Sequence, residues 1–178
     1  PSNYALQLTE KQKVKFVYGI LEKQLRRTFA KAEKQYQQVL THITGLLFGL
    51  GDKQSGNVGE VLWVLLDRRM DNVVYRLGLA GTRREAKQLV SHAHFTLNGK
   101  KMNIPSATLK VGDVIAVREK SLQSPKFKAL AENLKGKATP AWLELDANNM
   151  TGKIVALPAR ADVDAPITEQ LIVEFYSR

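Results

Sequence analysis

DRRMDNVVYRLGLAGTRREAKQLVSHAHFTLNGKKMNIPS, from Asp67 to Ser106, carries the most legible pattern in the chain. Its opening continues a helical period that starts upstream at Glu60: Trp63, Leu66, Met70, Val73, Val74 and Leu77 share one face at ~100° per residue, and Gly78 stands where such a helix stops. Thr82-Arg83-Arg84-Glu85 then has the form of a capping box, a hydroxyl and a carboxylate three residues apart that satisfy the free amides of a helix start. Two helices joined by so few residues lie side by side or cross closely. Phe95 and Leu97 alternate up to Asn98-Gly99, and Lys100, Lys101, Met102, Asn103 and Ile104 follow. A two-residue hairpin turn needs positive φ at both positions, which Asn and Gly adopt at least cost, so this spacing predicts an antiparallel hairpin. After Val111-Gly112-Asp113, the run Val114 to Val117 predicts a further strand.

Upstream, Thr9 with Gln12 predicts the start of a short helix that ends at Gly19. A second helix is expected from about Ile20, with Leu21, Leu25, Phe29 and Ala32 at helical spacing and Lys23, Arg26, Arg27, Lys31 and Lys34 on the wet side. From about Gln35 to Asn57 the pattern breaks into closely packed apolar residues with Gly45, Gly49, Gly51 and Gly56, which reads as a short apolar helix and a Gly-rich loop. Downstream, Phe127, Leu130 and Leu134 have helical character, Pro140 interrupts it, and Trp142, Leu143 and Leu145 form a short packing element. The tail from Thr168 to Tyr176 is too apolar to be a free end and is expected to dock on the first domain.

Composition narrows the chemistry. The 178 residues, 44% hydrophobic, suffice for one large or two small cores. The absence of cysteine excludes disulfides and thiolate zinc ligands. His42, His92 and His94 lack the spacing of a metal site, so no metal or other cofactor is expected. No apolar run reaches the ~18 residues of a membrane span. The chain opens at Pro1 rather than methionine, which suggests a preceding piece.

The net charge is +10, and it is concentrated. Residues 1–35 hold eight cations against three carboxylates and residues 67–120 hold eleven against five, while the remainder is close to neutral. Two basic stretches of this kind are the footprint of a polyanionic partner. On the helix from Arg83 to His92, Arg83, Arg84, Lys87 and Ser91 share one arc, and Ala86, Leu89 and Val90 lie opposite, so the cations lie off the buried side. Arg69, Asn72 and Arg76 flank the apolar stripe of the preceding helix, and Lys100 and Lys101 project from the hairpin. Fixed cations beside the free amides at Thr82 suit phosphates, while Gln88, Ser91, His92, His94 and Asn98 offer hydrogen bonds to 2′-hydroxyls or bases. No long exposed recognition helix suits a DNA major groove, so folded RNA is the expected partner.

The quoted stretch resembles the RNA-binding module of the bacterial small-subunit ribosomal protein four family. YALQLTEKQKVKFVYGILEKQLRRTF at Tyr4–Phe29, VGDVIAVREKS at Val111–Ser121 and the terminal ITEQLIVEFYSR are also similar to it, and the first and last of these are not shared by other carriers of the module. The resemblance implies a cytoplasmic place in the small ribosomal subunit and direct, primary binding to its ribosomal RNA. It further implies early nucleation of subunit assembly, neighbouring small-subunit proteins near the path where messenger RNA enters, a part in decoding accuracy, and no membrane partner. It adds Arg68, Lys11, Lys13, Arg26 and Arg27 to the RNA-contacting positions, beside Arg69, Arg76, Thr82, Arg83, Arg84, Lys87, Gln88, Ser91, His92, His94, Asn98, Lys100 and Lys101. The basic N-terminal segment usual in the family, zinc-binding in some members, is not among these residues. The apolar stretch from about Tyr36 to Ser55 replaces a short connector.

The implied fold is α+β: a mostly helical domain, residues 1–66 plus 122–178, completed by the C-terminal tail, and an inserted RNA-binding domain, residues 67–121, made of an α-hairpin and a small antiparallel sheet. Pseudouridine synthases and tyrosyl-transfer-RNA synthetases carry a similar module, which leaves an RNA-modifying enzyme or a transfer-RNA-binding factor as the alternative. The flanking stretches offer no nucleophile, phosphate loop or carboxylate pair for catalysis, so no catalytic residue is expected.

Overall fold

The computed structural model describes residues 1–44 and 55–178. Along the chain run α1 (Asn3–Tyr18), α2 (Glu22–Thr44), α3 (Ser55–Asp67), α4 (Met70–Arg76), α5 (Arg83–Ser91), β1 (Phe95–Leu97), β2 (Lys100–Met102), β3 (Val114–Val117), α6 (Glu119–Leu122), α7 (Pro125–Leu134), β4 (Leu143–Asp146), β5 (Thr151–Ile154) and α8 (Glu169–Tyr176). These mixed elements divide into two units, Pro1–Leu66 with Ala159–Arg178, and Asp67–Pro158.

In the first unit α1 begins earlier than its Thr-x-x-Gln pattern suggests. Ser2 caps it by accepting from the Ala5 amide at 3.3 Å, and Thr9 lies inside the helix, its hydroxyl donating to the Ala5 carbonyl at 2.8 Å. Gly19 ends it at φ +61°, a left-handed conformation that only glycine takes without strain. The expected break after Gln35 is absent: α2 runs on to Thr44, because Tyr36 continues the buried stripe of Leu25, Phe29 and Ala32 and Leu40 packs behind it. Of the stretch read as a short apolar helix and a Gly-rich loop, residues 45–54 lie outside the described residues, and Gly56 and Asn57 fall in α3 rather than in a loop. Val14, Tyr18, Leu62, Trp63, Ile172 and Val173 complete this core, so the apolar tail is buried as α8. Phe29 and Tyr176 stack at 4.8 Å, and the Tyr176 hydroxyl donates to Glu22 at 2.9 Å. Burial and the neighbouring Glu22 carboxylate push that phenol above its usual pKa.

The second unit is a five-stranded antiparallel sheet in the order β2-β1-β3-β5-β4, with its apolar face against helices. Asn98 and Gly99 turn the first hairpin at φ +51° and +81°, as a two-residue turn requires. Phe95 stands opposite Met102 and Val117, and Leu97 opposite Ile115, which fixes one face as the inner one. Gly152 lies on that face opposite Ile115, and Leu77, the C-cap of α4, fills the space a side chain there would need: a Cβ would stand 2.3 Å from Leu77 Cδ1. Glycine is required at this position for the close approach of helix and sheet.

Two expectations are corrected here. The apolar stripe from Glu60 to Leu77 reads as one helix, but the chain leaves helical geometry at Arg68-Arg69. There Arg69 bridges Thr108, the Arg68 carbonyl accepts from Leu109 at 2.9 Å, and the amides of Met70 and Asp71 donate to Ala107 at 2.9 Å and Pro105 at 3.1 Å. A partner about 40 residues downstream replaces the helical bonds. The second correction concerns residues 122–158, assigned above to the helical domain. They belong with the sheet: Phe127, Leu134, Trp142, Leu143, Met150 and Ile154 are part of its core, and β5 pairs with β3.

Candidate nucleic-acid interface

In the second unit α5 and the first hairpin carry most of the sequence-predicted polar and cationic side chains. Thr82 caps α5, its hydroxyl accepting from the Glu85 amide at 3.0 Å, while Glu85 accepts from the Gly81 amide at 2.7 Å and pairs with Lys126. The Lys126 ammonium first, then that amide, hold the Glu85 carboxyl below its usual pKa. Both the Thr82 hydroxyl and Glu85 therefore serve the helix start, where some amides are already satisfied. Beyond the cap, Ala86, Leu89 and Val90 are buried, and Arg84, Gln88 and Ser91, at i, i+4 and i+7, form the exposed ridge. Lys87 is half-buried beside it, and the Ser91 hydroxyl donates to the Lys87 carbonyl at 2.8 Å.

Arg83 does not stand clear of the fold as its place on the polar arc suggests. Its Nε donates to Asn72 Oδ1 at 2.9 Å, and its guanidinium lies over the Tyr75 ring at 4.6 Å. Asn72 in turn donates to the Asp67 carbonyl at 2.8 Å, so the sequence Asp67, Asn72, Arg83 is a chain of bonds that ties α4 to α5. Arg76 on α4 is half-buried.

Three further candidates turn out to hold the fold together. Arg69 is buried and makes a two-pronged pair with Asp71 at 3.1 Å. Lys11, in the first unit, is 6% exposed, bridges to Glu22 at 2.9 Å and sits over the Phe175 ring at 4.5 Å. Asn98 spends its amide internally: Oδ1 accepts from the Val114 amide at 2.9 Å and Nδ2 donates to Asp113 at 2.9 Å. Neither Lys11 nor Arg69 presents a charge to a ligand, and Asn98 is a latch between the hairpin turn and β3. Arg68 is intermediate, half-buried with its Nε donating to the Leu109 carbonyl at 2.7 Å.

The exposed cations that remain are Arg84, Lys100 and Lys101 in the second unit and Lys13, Arg26 and Arg27 in the first. Lys13 pairs with Glu10, which also accepts from the Thr168 amide at 2.9 Å. Burial alone would raise the Glu10 pKa, but Lys13 and that amide outweigh it and hold the carboxyl below its ordinary value. Arg26 and Arg27 lie on the wet side of α2, as its period implies.

Beside the ridge sits a cluster that the periodicity argument missed in part. The chain leaves α5 through Ala93 at φ +60°, and the His92 and His94 rings come to 6.4 Å. His94 Nδ1 is 2.9 Å from Ser121 Oγ, and its ring lies 5.5 Å from Phe127. Arg118 donates to the Ala93 carbonyl at 3.0 Å. Burial first, and then His92, Lys126 and Arg118, depress the His94 pKa. Arg118, Ser121 and Lys126 were missed because they reach the site from the N-cap of α6, from α6 and from α7, which no local period connects to α5. Among the described residues no group of three or more His, Asp or Glu side chains is placed to hold a metal ion.

This arrangement, a capped polar helix feeding a basic hairpin, coincides with the region that matches a known domain model. Residues 68–115 match the S4 domain, and residues 1–67 match the ribosomal protein S4/S9 N-terminal domain. The likeness extends over nearly all of the chain. The small ribosomal subunit protein uS4 of Acetivibrio thermocellus is 53% identical over 177 residues, covering 99% of this chain and 76% of that protein. The uS4A protein of Alkaliphilus metalliredigens is 51% identical and the uS4 protein of Clostridioides difficile 50% identical, each with the same coverage. These relatives are named as ribosomal components rather than RNA-modifying enzymes, which answers the alternative left open by the module alone. With both parts of the fold matched in order and half of its residues shared with such relatives, the chain belongs to the uS4 family of small ribosomal subunit proteins.

Proposed function

We propose that this chain is a structural component of the small ribosomal subunit that binds the subunit's ribosomal RNA directly, with the ridge of α5 and the β1–β2 hairpin as its principal contact. The observation that carries this reading is the division of labour among the cations of the S4 domain. Arg69 and Arg83 are spent on Asp71 and Asn72, whereas Arg84, Lys100 and Lys101 are exposed and, among the described residues, make no ion pair. Cations held on a rigid helix and a tight hairpin without internal counter-charge fit the regular negative charge of a folded RNA backbone. Gln88, Ser91 and His92 are exposed beside them and are suited to 2′-hydroxyls and base edges. Arg26 and Arg27 of the first unit supply a second set of phosphate contacts, which Lys13 joins only by leaving its Glu10 partner.

Binding as a primary protein fits a chain whose two compact units both present exposed cations. A role in nucleating subunit assembly follows from that order of binding. Contacts with neighbouring small-subunit proteins, with messenger RNA where it enters, and an influence on decoding accuracy are part of the same proposal.

The test is a binding titration of the full chain against a small-subunit ribosomal RNA transcript across a range of salt concentrations. Replacing Arg84, Lys100 and Lys101 by Ala should weaken binding and reduce the slope of log affinity against log salt by about one for each residue that contacts a phosphate, with the unfolding midpoint little changed. An unchanged affinity and slope in the folded triple variant would remove the hairpin and ridge from the interface.

A further inference from the structure

We propose that His92, His94, Ser121, Arg118 and Lys126 form a phosphate subsite in which an RNA phosphodiester binds together with a proton taken up by His94. The inference rests on the ribosomal RNA binding proposed above and names one proton-linked contact within it.

The geometry is that of an assembled site. The left-handed turn at Ala93 brings the two imidazoles together, Phe127 backs the His94 ring from α7, and the Ser121 hydroxyl holds Nδ1 at 2.9 Å. Arg118 is fixed at the edge by its bond to the Ala93 carbonyl, and its own amide donates to the His94 carbonyl at 2.8 Å. Of the charged groups on the surrounding elements, His92 at the end of α5, Arg118 after β3 and Lys126 on α7 act on His94, and Glu85 of α5 is engaged by Lys126 and the Gly81 amide. Glu119 and Lys120 on α6 and Lys128 on α7 are exposed.

Cations thus act on a half-buried imidazole, while Glu85 is already paired with Lys126 and Glu119 stands exposed on α6. Burial first, and then those cations, disfavour a proton on His94 in the free protein, since the charge would be held away from water and beside other positive groups. A bound phosphodiester reverses the balance. It supplies negative charge, accepts from the Arg118 guanidinium and, in competition with Glu85, from the Lys126 ammonium, and favours the imidazolium form. The imidazole then carries a proton on both ring nitrogens, one toward Ser121 and one available to the phosphate. Since the bound state holds the proton more firmly than the free state, affinity must rise as pH falls through the window between the two His94 pKa values.

The experiment is an anisotropy titration of a labelled small-subunit ribosomal RNA transcript with the full chain at constant ionic strength, from pH 6 to pH 8. The comparison is with His94→Gln, which keeps a side chain able to hydrogen-bond Ser121 but cannot titrate. The wild type is expected to gain about fivefold in affinity toward pH 6 relative to the variant, since each unit of pKa difference between free and bound states is worth up to ~tenfold. The difference between the two proteins removes any protonation of the RNA itself. A parallel slope in wild type and variant would overturn the proton-linked subsite while leaving ribosomal RNA binding intact; failure of the wild type to bind at any pH would overturn both. Should His94→Gln not fold, the imidazole resonances of the wild-type chain, followed by NMR with and without the transcript, decide instead. An upward shift of the His94 titration on RNA binding supports the subsite. An unshifted titration rejects it and leaves the cluster to an acidic segment of a protein neighbour.

Discussion

Arg69 and Arg84 show how two arginines of one basic stretch serve opposite ends. Arg69 and Asp71 are both nearly inaccessible, at 7% and 4% side-chain exposure, and their two-pronged pair is completed by the Asn72 amide donating to Asp71 at 2.8 Å. Removing the arginine would leave a carboxylate buried with its charge unmatched, so Arg69→Ala should lower unfolding free energy by about 3–5 kcal/mol, read from urea denaturation. Arg84→Ala, on the exposed ridge, should change it by less than about 0.5 kcal/mol and act on RNA affinity instead. A single residue type in a single segment therefore gives two phenotypes, and exposure decides which. The sequence could not separate them. Helical period finds the buried side of α5 in Ala86, Leu89 and Val90 but not the bond that draws Arg83 onto Asn72; Arg69 lies at a helix break and Lys11 is buried by Phe175 from the far end of the chain, and none of these events has a local signature.

At the level of elements, what was legible is what is locally determined. Thr82 and Glu85 announced α5, Asn98-Gly99 announced the hairpin, and Gly19 announced the end of α1, because each is a side chain or backbone preference acting within a few residues. What escaped depends on distant partners: the interruption between α3 and α4 needs Ala107 to Leu109, and the β4–β5 hairpin needs β3 as its template. Gly152 made β5 still harder to read, since a glycine interrupts the apolar alternation of a strand. Its reason is the approach of Leu77, which is wholly buried and has nowhere to retreat. Gly152→Val should therefore cost about 1–3 kcal/mol or more by overpacking. In a double-mutant cycle Leu77→Ala should recover part of that loss in the Gly152→Val background, although it is destabilising alone. Strictly additive effects by urea denaturation would show that the contact is not what requires glycine.

For the molecule as a whole, the boundary of the second unit becomes a question of which residues complete one core. The RNA-binding domain expected from the sequence ends at residue 121, and the matching domain model ends at residue 115, yet the chain does not return to the first unit until Ala159. The intervening residues supply Phe127 and Trp142, two of the largest fully buried side chains, with Leu143 and Ile154, and they cover the edge of β3 by pairing it with β5. Fully burying one such side chain is worth about 1.5–3 kcal/mol, and a domain's net stability is only about 5–15 kcal/mol, so losing several at once exceeds what a small core can spare. The uncovered β3 edge would add unpaired amides and carbonyls ready to join another chain. A fragment spanning Asp67–Pro158 is accordingly expected to unfold in one cooperative transition and to retain RNA binding through α5 and the hairpin. A fragment of residues 67–121 is expected to show no cooperative transition and to aggregate. Circular dichroism under urea, with sedimentation to score association, checks both. Cooperative, monomeric folding of the shorter fragment would mean that residues 122–158 cover the module without being needed to stabilise it.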